Sequence, residues 1–227
     1  MTTPIKIIKA KEYGKKPVQE KVWDSIALPW KTYVVKKIPI VEEFLKRKKR
    51  LVVDMGCGTG RNMISGKGAE YWGVDFSKGQ LEFAKKYMKK EGVKGKLFKS
   101  SLGKLPSEFK DKMFDYGLFI GALHCIESSK SREKALKEFY RVMKPNAEGL
   151  ISVWNSFDKR FDKVGNKGGI YMSWLEDRKP YMRYYYLYSK EEFLRLLEKV
   201  GFKILEIYSS KEGDRFSKKN LIVRVGK

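Results

Sequence analysis

The chain has 227 residues, 42% hydrophobic and 14% aromatic, which is enough to bury a full core and too apolar for a disordered segment. Its longest apolar run, near Tyr116–Leu123, falls far short of a bilayer span and Met1–Tyr13 lacks a signal-peptide core, so a soluble, cytoplasmic protein is expected. Lys and Arg number 50 against 27 Asp and Glu, a net charge of +23; lysine-rich thermophile surfaces carry matching acids, so this excess points to a polyanion, nucleic acid first.

In chain order, residues 1–47 read as a helical cap containing a helix over Pro17–Trp30. From Lys48 the periodicity alternates between strand and helix. Leu51–Asp54 is a short apolar run of the kind buried on both faces of a parallel sheet. Tyr71–Asp75, Lys96–Lys99, Phe114–Ile120 and Leu150–Trp154 follow as further strands. Between them, Ser77–Lys90 places Leu81, Ala84 and Met88 on one helical face. Ser131–Met143 does the same with Leu136, Phe139, Tyr140 and Met143. Such alternation predicts right-handed crossovers. Residues 155–189 are rich in Lys, Arg, Gly and aromatics, show no convincing long period, and read as a basic aromatic insertion over the site. Lys190–Val200 is a helix with Phe193, Leu196, Leu197 and Val200 inward, stopped by Gly201. Lys203–Tyr208 and Leu221–Val225 are two final strands, joined by a polar connection over 209–220. No repeat or low-complexity linker divides the chain, so one domain is expected.

The densest signal is LVVDMGCGTG, residues 51–60, where an apolar strand ends at Asp54 and runs into Gly56, Gly58 and Gly60. Glycine lets backbone bend sharply and approach a ligand where a Cβ would collide. Asp75 ends the next strand about twenty residues on, the spacing at which a carboxylate accepts ribose hydroxyls in a nucleotide-type βαβ unit. The spacing D-x-G-x-G-x-G lacks the deeper third glycine of the dinucleotide fingerprint, which argues against a nicotinamide or flavin site. Ordinary strand-to-helix turns also favour glycine, but do not require three at alternate positions with two placed acids. Cys57 and Cys125 form no CxxC pair, and with the single His124 they make no zinc set; reduced thiols and no metal are expected.

This loop resembles the cofactor loop of class I S-adenosylmethionine-dependent methyltransferases. The resemblance implies an α/β, Rossmann-like fold with a mostly parallel seven-stranded sheet, helices on both faces and an antiparallel C-terminal strand. It implies S-adenosyl-L-methionine as cofactor, held by Asp54, Gly56, Cys57, Gly58, Thr59, Gly60, Asp75, Phe76, Ser101, Leu102 and Gly121. In that family the equivalent of Asp54 orients the cofactor's amino group or a nearby water. Ser101, in KSSLGKLP, stands where an acid often holds the adenine amino group, and a hydroxyl is the weaker partner.

More of the chain is similar to one group within that class, the tRNA methyltransferases that esterify 5-carboxymethyl groups on the wobble uridine. The similarity lies in VWDSIA (Val22–Ala27), IPIVEEFL (Ile38–Leu45), Leu123–His124, Leu150–Trp154 and above all MRYYYLY (Met182–Tyr188), with DRFSKKN (Asp214–Asn220) a stretched echo of a segment before the last strand. Val34 and Ile38 stand where that group has Arg and Trp, Cys125 and Ile126 where it has His and Trp, and the insertion after the fifth strand is short. These departures bear on the substrate more than on the chemistry. The resemblance implies tRNA as partner and a small zinc-binding activator subunit.

His124, at the carboxyl end of the fourth strand, is a substrate contact or general base. Arg183 is a cation able to hold a carboxylate, which is already ionised at neutral pH and needs no strong base. Tyr184, Tyr185, Tyr186 and Tyr188 either offer stacking surfaces for an extruded base, with Arg178 and Arg215 beside them, or form a tyrosine-rich strand or turn packed on the sheet edge. Lys159, Arg160, Lys163, Lys167, Arg178, Lys179 and Arg183 supply phosphate contacts. A small-molecule methyltransferase of the same fold, and a non-catalytic RNA-binding protein, are the alternatives.

Overall fold

The computed structural model describes residues 5–14, 16–33, 36–46, 50–65, 68–208, 216 and 219–227. After strand β1 (Ile7–Lys9), three short helices follow: α1 (Gln19–Ser25), α2 (Ala27–Tyr33) and α3 (Pro39–Leu45). The alternating portion comprises β2 (Leu51–Met55), β3 (Glu70–Asp75), α4 (Lys78–Glu91), β4 (Gly95–Lys99), β5 (Phe114–Ile120), α5 (Ser129–Val142) and β6 (Met143–Trp154). Two long strands, β7 (Gly168–Glu176) and β8 (Lys179–Leu187), precede α6 (Lys190–Val200), β9 (Lys203–Tyr208) and β10 (Asn220–Gly226).

Seven strands form the central sheet in the order β4-β3-β2-β5-β6-β10-β9. β2 pairs in parallel with both β3 and β5, β4 with β3, and β6 with β5; β10 runs antiparallel to both of its neighbours. The fold expected from the sequence is the one observed. The chain enters at β2, winds outward to β4, then returns to β5 on the other side. Loops leaving β2 and β5 therefore diverge at this reversal and leave a crevice between them.

The strands alternate their side chains between two cores. Val52, Leu118, Leu150 and Ile222 pack with Val41 and Phe44 of α3 and Met88 of α4. Val53, Phe119, Ile151 and Val223 pack with Leu136 and Phe139 of α5 and with Phe193 and Leu197 of α6. Phe139 fits only because Gly117 lies beneath it: a Cβ there would collide with the ring edge. Ser77, Ser128 and Ser189 cap α4, α5 and α6 by accepting N–H bonds from Gln80, Ser131 and Glu192.

The structure departs from the sequence reading in two places. The Pro17–Trp30 helix is two helices, because Pro29 has no N–H to donate to the carbonyl of Ser25 and the ladder breaks there. The insertion is a long hairpin: β7 and β8 pair through nine residues, and β1 adds to β7 as a third antiparallel strand. Its two-residue turn, Asp177–Arg178, has positive φ at both positions (47° and 61°), the geometry of a type I′ turn without the glycine that usually announces one. Both faces are apolar, with Ile170, Met172, Tyr185 and Leu187 on one and Tyr171, Met182 and Tyr184 on the other. A strand buried on both sides shows no alternation in hydropathy.

Phe139→Ala should lower unfolding stability by about 3–5 kcal/mol, since the ring is fully buried and the glycine beneath it cannot refill the space. Urea denaturation of both proteins checks this.

Candidate active site

The chain leaves β2 at Met55 and turns at Gly56 with φ of +74°, where a Cβ would collide with that of Ala122. The N–H groups of Gly56 and Cys57 donate to the Val74 carbonyl at 2.8 and 3.0 Å, fixing the loop against the end of β3. The next residue of β3, Asp75, completes the attachment. Its Oδ2 accepts from the Gly58 N–H at 3.0 Å and its Oδ1 from the Ser77 N–H at 2.9 Å. The Phe76 N–H also acts on this carboxylate, and its remaining acceptor capacity is open to a ligand. Burial pushes the Asp75 carboxyl up to about 6, against the downward pull of those N–H groups.

Asp54 lies beneath the loop, fully buried, with neither carboxylate oxygen hydrogen-bonded. Burial, and then the charge of Asp75, push it up to about 7, opposed by the Arg61 guanidinium. The crevice above is a cavity of about 540 Å³. Of the residues expected to hold the cofactor, Gly56, Cys57, Gly58, Thr59, Asp75, Phe76, Ser101, Leu102 and Gly121 line it; Asp54 and Gly60 do not. Gly60 instead approaches α4, where a Cβ would lie 3.3 Å from the Ala84 Cα.

Arg61, Asn62 and Gln80 also line the cavity and escaped the sequence reading. The Gln80 carboxamide and the Asn62 Oδ1 are buried without a hydrogen-bond partner, which leaves them available to a bound molecule. The only sequence signal for Gln80 is its place three residues after Ser77, the spacing of a capping box.

Helix α1 closes one side. Asp24 Oδ1 accepts from the Ser77 hydroxyl at 2.6 Å and the Gly79 N–H at 2.9 Å, so it caps α4 from outside. At the other end, the Gln19 carboxamide donates to the Met182 carbonyl and accepts from the Tyr184 N–H at 3.2 and 2.9 Å. One short helix thus spans from the acid loop to the hairpin, and Gln19, Trp23 and Trp30 face the cavity.

Several expected substrate residues fall elsewhere. His124 is buried and does not line the cavity; its ring packs 5.2 Å from Trp154 and 5.6 Å from Tyr185. Burial and then the Arg160 charge push it down to about 3, so it is a neutral ring in a stack rather than an accessible base. Tyr185 is 2% exposed within that same stack. Tyr184 and Tyr186 point to the opposite face of the hairpin, where Tyr184 packs on Tyr171 and Tyr186 lies under the Arg132 guanidinium and donates to Glu192. None of the three presents a free face to an extruded base, because adjacent strand residues alternate sides. Tyr188 is likewise buried, 4.7 Å from Tyr186.

Arg160 is paired with Asp158 at 2.9 Å and covers Trp154, whereas Lys159, Lys163, Lys167, Arg178 and Lys179 are exposed. Arg178 sits at the hairpin tip; Arg215 lies outside the described residues. Arg183 is 5% exposed, surrounded by Trp30, Trp174 and Tyr185 at 5.1–5.5 Å, and is paired with no carboxylate among the described residues. One long bond reaches the Ser173 carbonyl at 3.4 Å, and its Nε has no partner.

Residues 52–146 match a family model described as a methyltransferase domain. A putative methyltransferase of Encephalitozoon cuniculi is 32% identical over 163 residues, covering 70% of this chain and 73% of that protein. The chain belongs to the methyltransferase-domain family. The tRNA (carboxymethyluridine(34)-5-O)-methyltransferase of Schizosaccharomyces pombe is 27% identical over 86% of this methyltransferase and 92% of its own length. Some relatives are longer: the methyltransferase spans 27% of the probable tRNA methyltransferase 9B of Mus musculus. Among solved structures, the 1,6-didemethyltoxoflavin-N1-methyltransferase of Burkholderia thailandensis superposes with a TM-score of 0.70 at 16% identity, over 97% and 94% of the two chains.

The methyltransferase is an S-adenosylmethionine-dependent enzyme with the class I fold. The cavity suits that cofactor: a glycine-walled cradle, an acid with free lone pairs, and unpartnered amide groups at Gln80 and Asn62. Cys57 and Cys125 are free thiols, and no cluster of metal-ligating side chains occurs among the described residues.

The raised carboxyl of Asp54 has a consequence for stability. Its neutral form is favoured in the folded state, so its stabilising share is present below the unfolded value of 3.8 and is lost as pH rises through about 7. Asp54→Asn cannot ionise, so its stability relative to the parent should increase steadily between pH 4 and pH 8. Melting temperatures measured across that range would show parallel curves if Asp54 is not the buried acid described.

Proposed function

We propose that this methyltransferase esterifies the carboxylate of a 5-carboxymethyluridine at the wobble position of tRNA. The observation that carries the reading is Arg183, a buried guanidinium beside the cavity wall with no carboxylate among the described residues to balance it. A buried unpaired cation is costly, and an anionic substrate group removes that cost. The planar fork of arginine matches a carboxylate in a bidentate contact.

The acid–base inventory supports the same choice. His124 is neutral and sealed beneath the cavity, and neither Cys57 nor Cys125 is activated, since burial raises both thiols. The carboxylates on the cavity wall, Asp75 and Glu127, are engaged by backbone N–H groups and by the Tyr171 hydroxyl, whereas a carboxylate acceptor is ionised on arrival and asks for no base. S-adenosylmethionine, when bound, supplies a methyl group on a positively charged sulfur. The protein then has to hold the acceptor oxygen in line and exclude water, a task supported by Gln19, Trp23 and Trp30, which wall one side of the crevice.

The +23 charge and the likeness to the S. pombe tRNA enzyme support RNA as the polymer. Cytoplasmic location and a small zinc-binding activator subunit belong to the same proposal. No helix among the described residues is long and apolar enough to cross a membrane.

The deciding assay incubates tRNA with enzyme, labelled cofactor and the activator, then resolves nucleosides by mass spectrometry. Label in a base-labile ester at the wobble uridine is expected. Label on another tRNA atom would discard the ester, and unlabelled RNA together with a labelled lipid or quinone extract would discard RNA altogether. Arg183→Lys keeps the charge but not the fork. It should slow ester formation at least about tenfold while calorimetric affinity for S-adenosylmethionine stays at the parental value.

A further inference from the structure

With Tyr184 and Tyr185 of β8 buried, a different set of rings, two half-buried and one open to solvent, stands beside the cavity. Tyr33, the last residue of α2, is 68% exposed, and its ring lies 5.9 Å from Trp30 and 5.6 Å from Trp174. Trp30 and Trp174 are 5.8 Å apart and half-buried. The planes cross at 65° between the tryptophans and 80° between Tyr33 and Trp174, with Tyr33 tilted 39° to Trp30, so the rings meet edge to face as a shallow cup.

The floor of this cup is charged. The Arg183 guanidinium lies 5.5 Å from the Trp30 ring and 5.1 Å from that of Trp174, buried and with its Nε unsatisfied. Trp30 also lines the cavity that contains Gly58 and Asp75, so cup and cofactor pocket share a wall. A few residues beyond Trp174, the hairpin tip exposes Arg178 and Lys179.

We infer that Trp30, Tyr33 and Trp174 form the acceptor subsite, gripping one unpaired pyrimidine nucleotide of RNA whose ring carries a carboxylate that descends to Arg183. This rests on the function proposed above and names the residues that select its substrate. The open ring of Tyr33, with the partly exposed tryptophans beside it, offers π-faces to a splayed base, and stacking on such faces tolerates any base. Selection therefore comes from the floor, where only a base with an anionic arm satisfies the guanidinium. The exposed cations at the hairpin tip take the flanking phosphates, which fix position without reading sequence.

The test uses the full chain and two synthetic anticodon stem-loops, one with 5-carboxymethyluridine and one with uridine in the loop, titrated by tryptophan fluorescence. The parent should quench with both and bind the carboxymethyl RNA more tightly. Tyr33→Ala and Trp174→Ala should each weaken that binding about tenfold, Trp174→Phe should restore it, and calorimetric affinity for S-adenosylmethionine should not move. If Trp174→Ala fails to fold, Tyr33→Ala carries the test, since most of its ring is already in solvent. Equal affinity of Tyr33→Ala and parent, equal binding of the two RNAs, or no RNA binding by the parent overturns the inference. Ester formation at parental KM in the variants would remove this subsite and leave the proposed function standing. Selective binding without ester formation would remove the function and leave the subsite.

Discussion

The two backbone N–H groups held by Asp75 are the contact on which the site depends. One comes from the glycine loop after β2 and the other from the residue that caps α4, so a single carboxylate sets the distance between two segments. Ser77 passes the constraint outward, because its hydroxyl is held by Asp24 of α1. The helix that closes the cavity is therefore indexed to the acid that lines it. The buried carboxyl is raised by desolvation, yet the same N–H groups keep it from rising further.

Charge is distributed with a purpose that the total of +23 conceals. Many acids are spent on local cations: Glu138 and Asp111 on Arg141, Asp158 on Arg160, Glu133 on Lys137 and Lys199. Arg183 is different, enclosed by aromatic rings and without an anionic partner among the described residues. Surface pairs contribute little to stability, but an unpaired buried cation is a standing cost that a ligand can offset. A site of this kind discriminates through the penalty for leaving it empty.

The central sheet was legible in the sequence because parallel strands buried on both faces appear as short apolar runs separated by helical periods. Gly56, Gly58 and Asp75 were legible because backbone geometry, not packing, selects them. The hairpin was not. Its turn uses Asp177 and Arg178 at positive φ in place of glycine, and its strands are aromatic on both faces, which removes the period-2 signal. The tyrosines follow the strand: Tyr184, Tyr185 and Tyr186 alternate between the two faces of the hairpin, with Tyr184 and Tyr185 buried.

By itself, the sequence determined the fold class, the glycine cradle and its acid, and the basic excess, since each is written in local spacing or composition. Tertiary structure decided which side chains meet across the crevice. Trp30 from α2 and Trp174 from β7 are far apart in the chain and carry no motif, yet the hairpin register brings both over Arg183. His124 has motif-like placement and is removed from the cavity by the ring stack around it. Donor-site residues follow from backbone conformation and can be read along one segment. The residues that meet around Arg183 follow from the packing of distant segments, which no single stretch of sequence encodes.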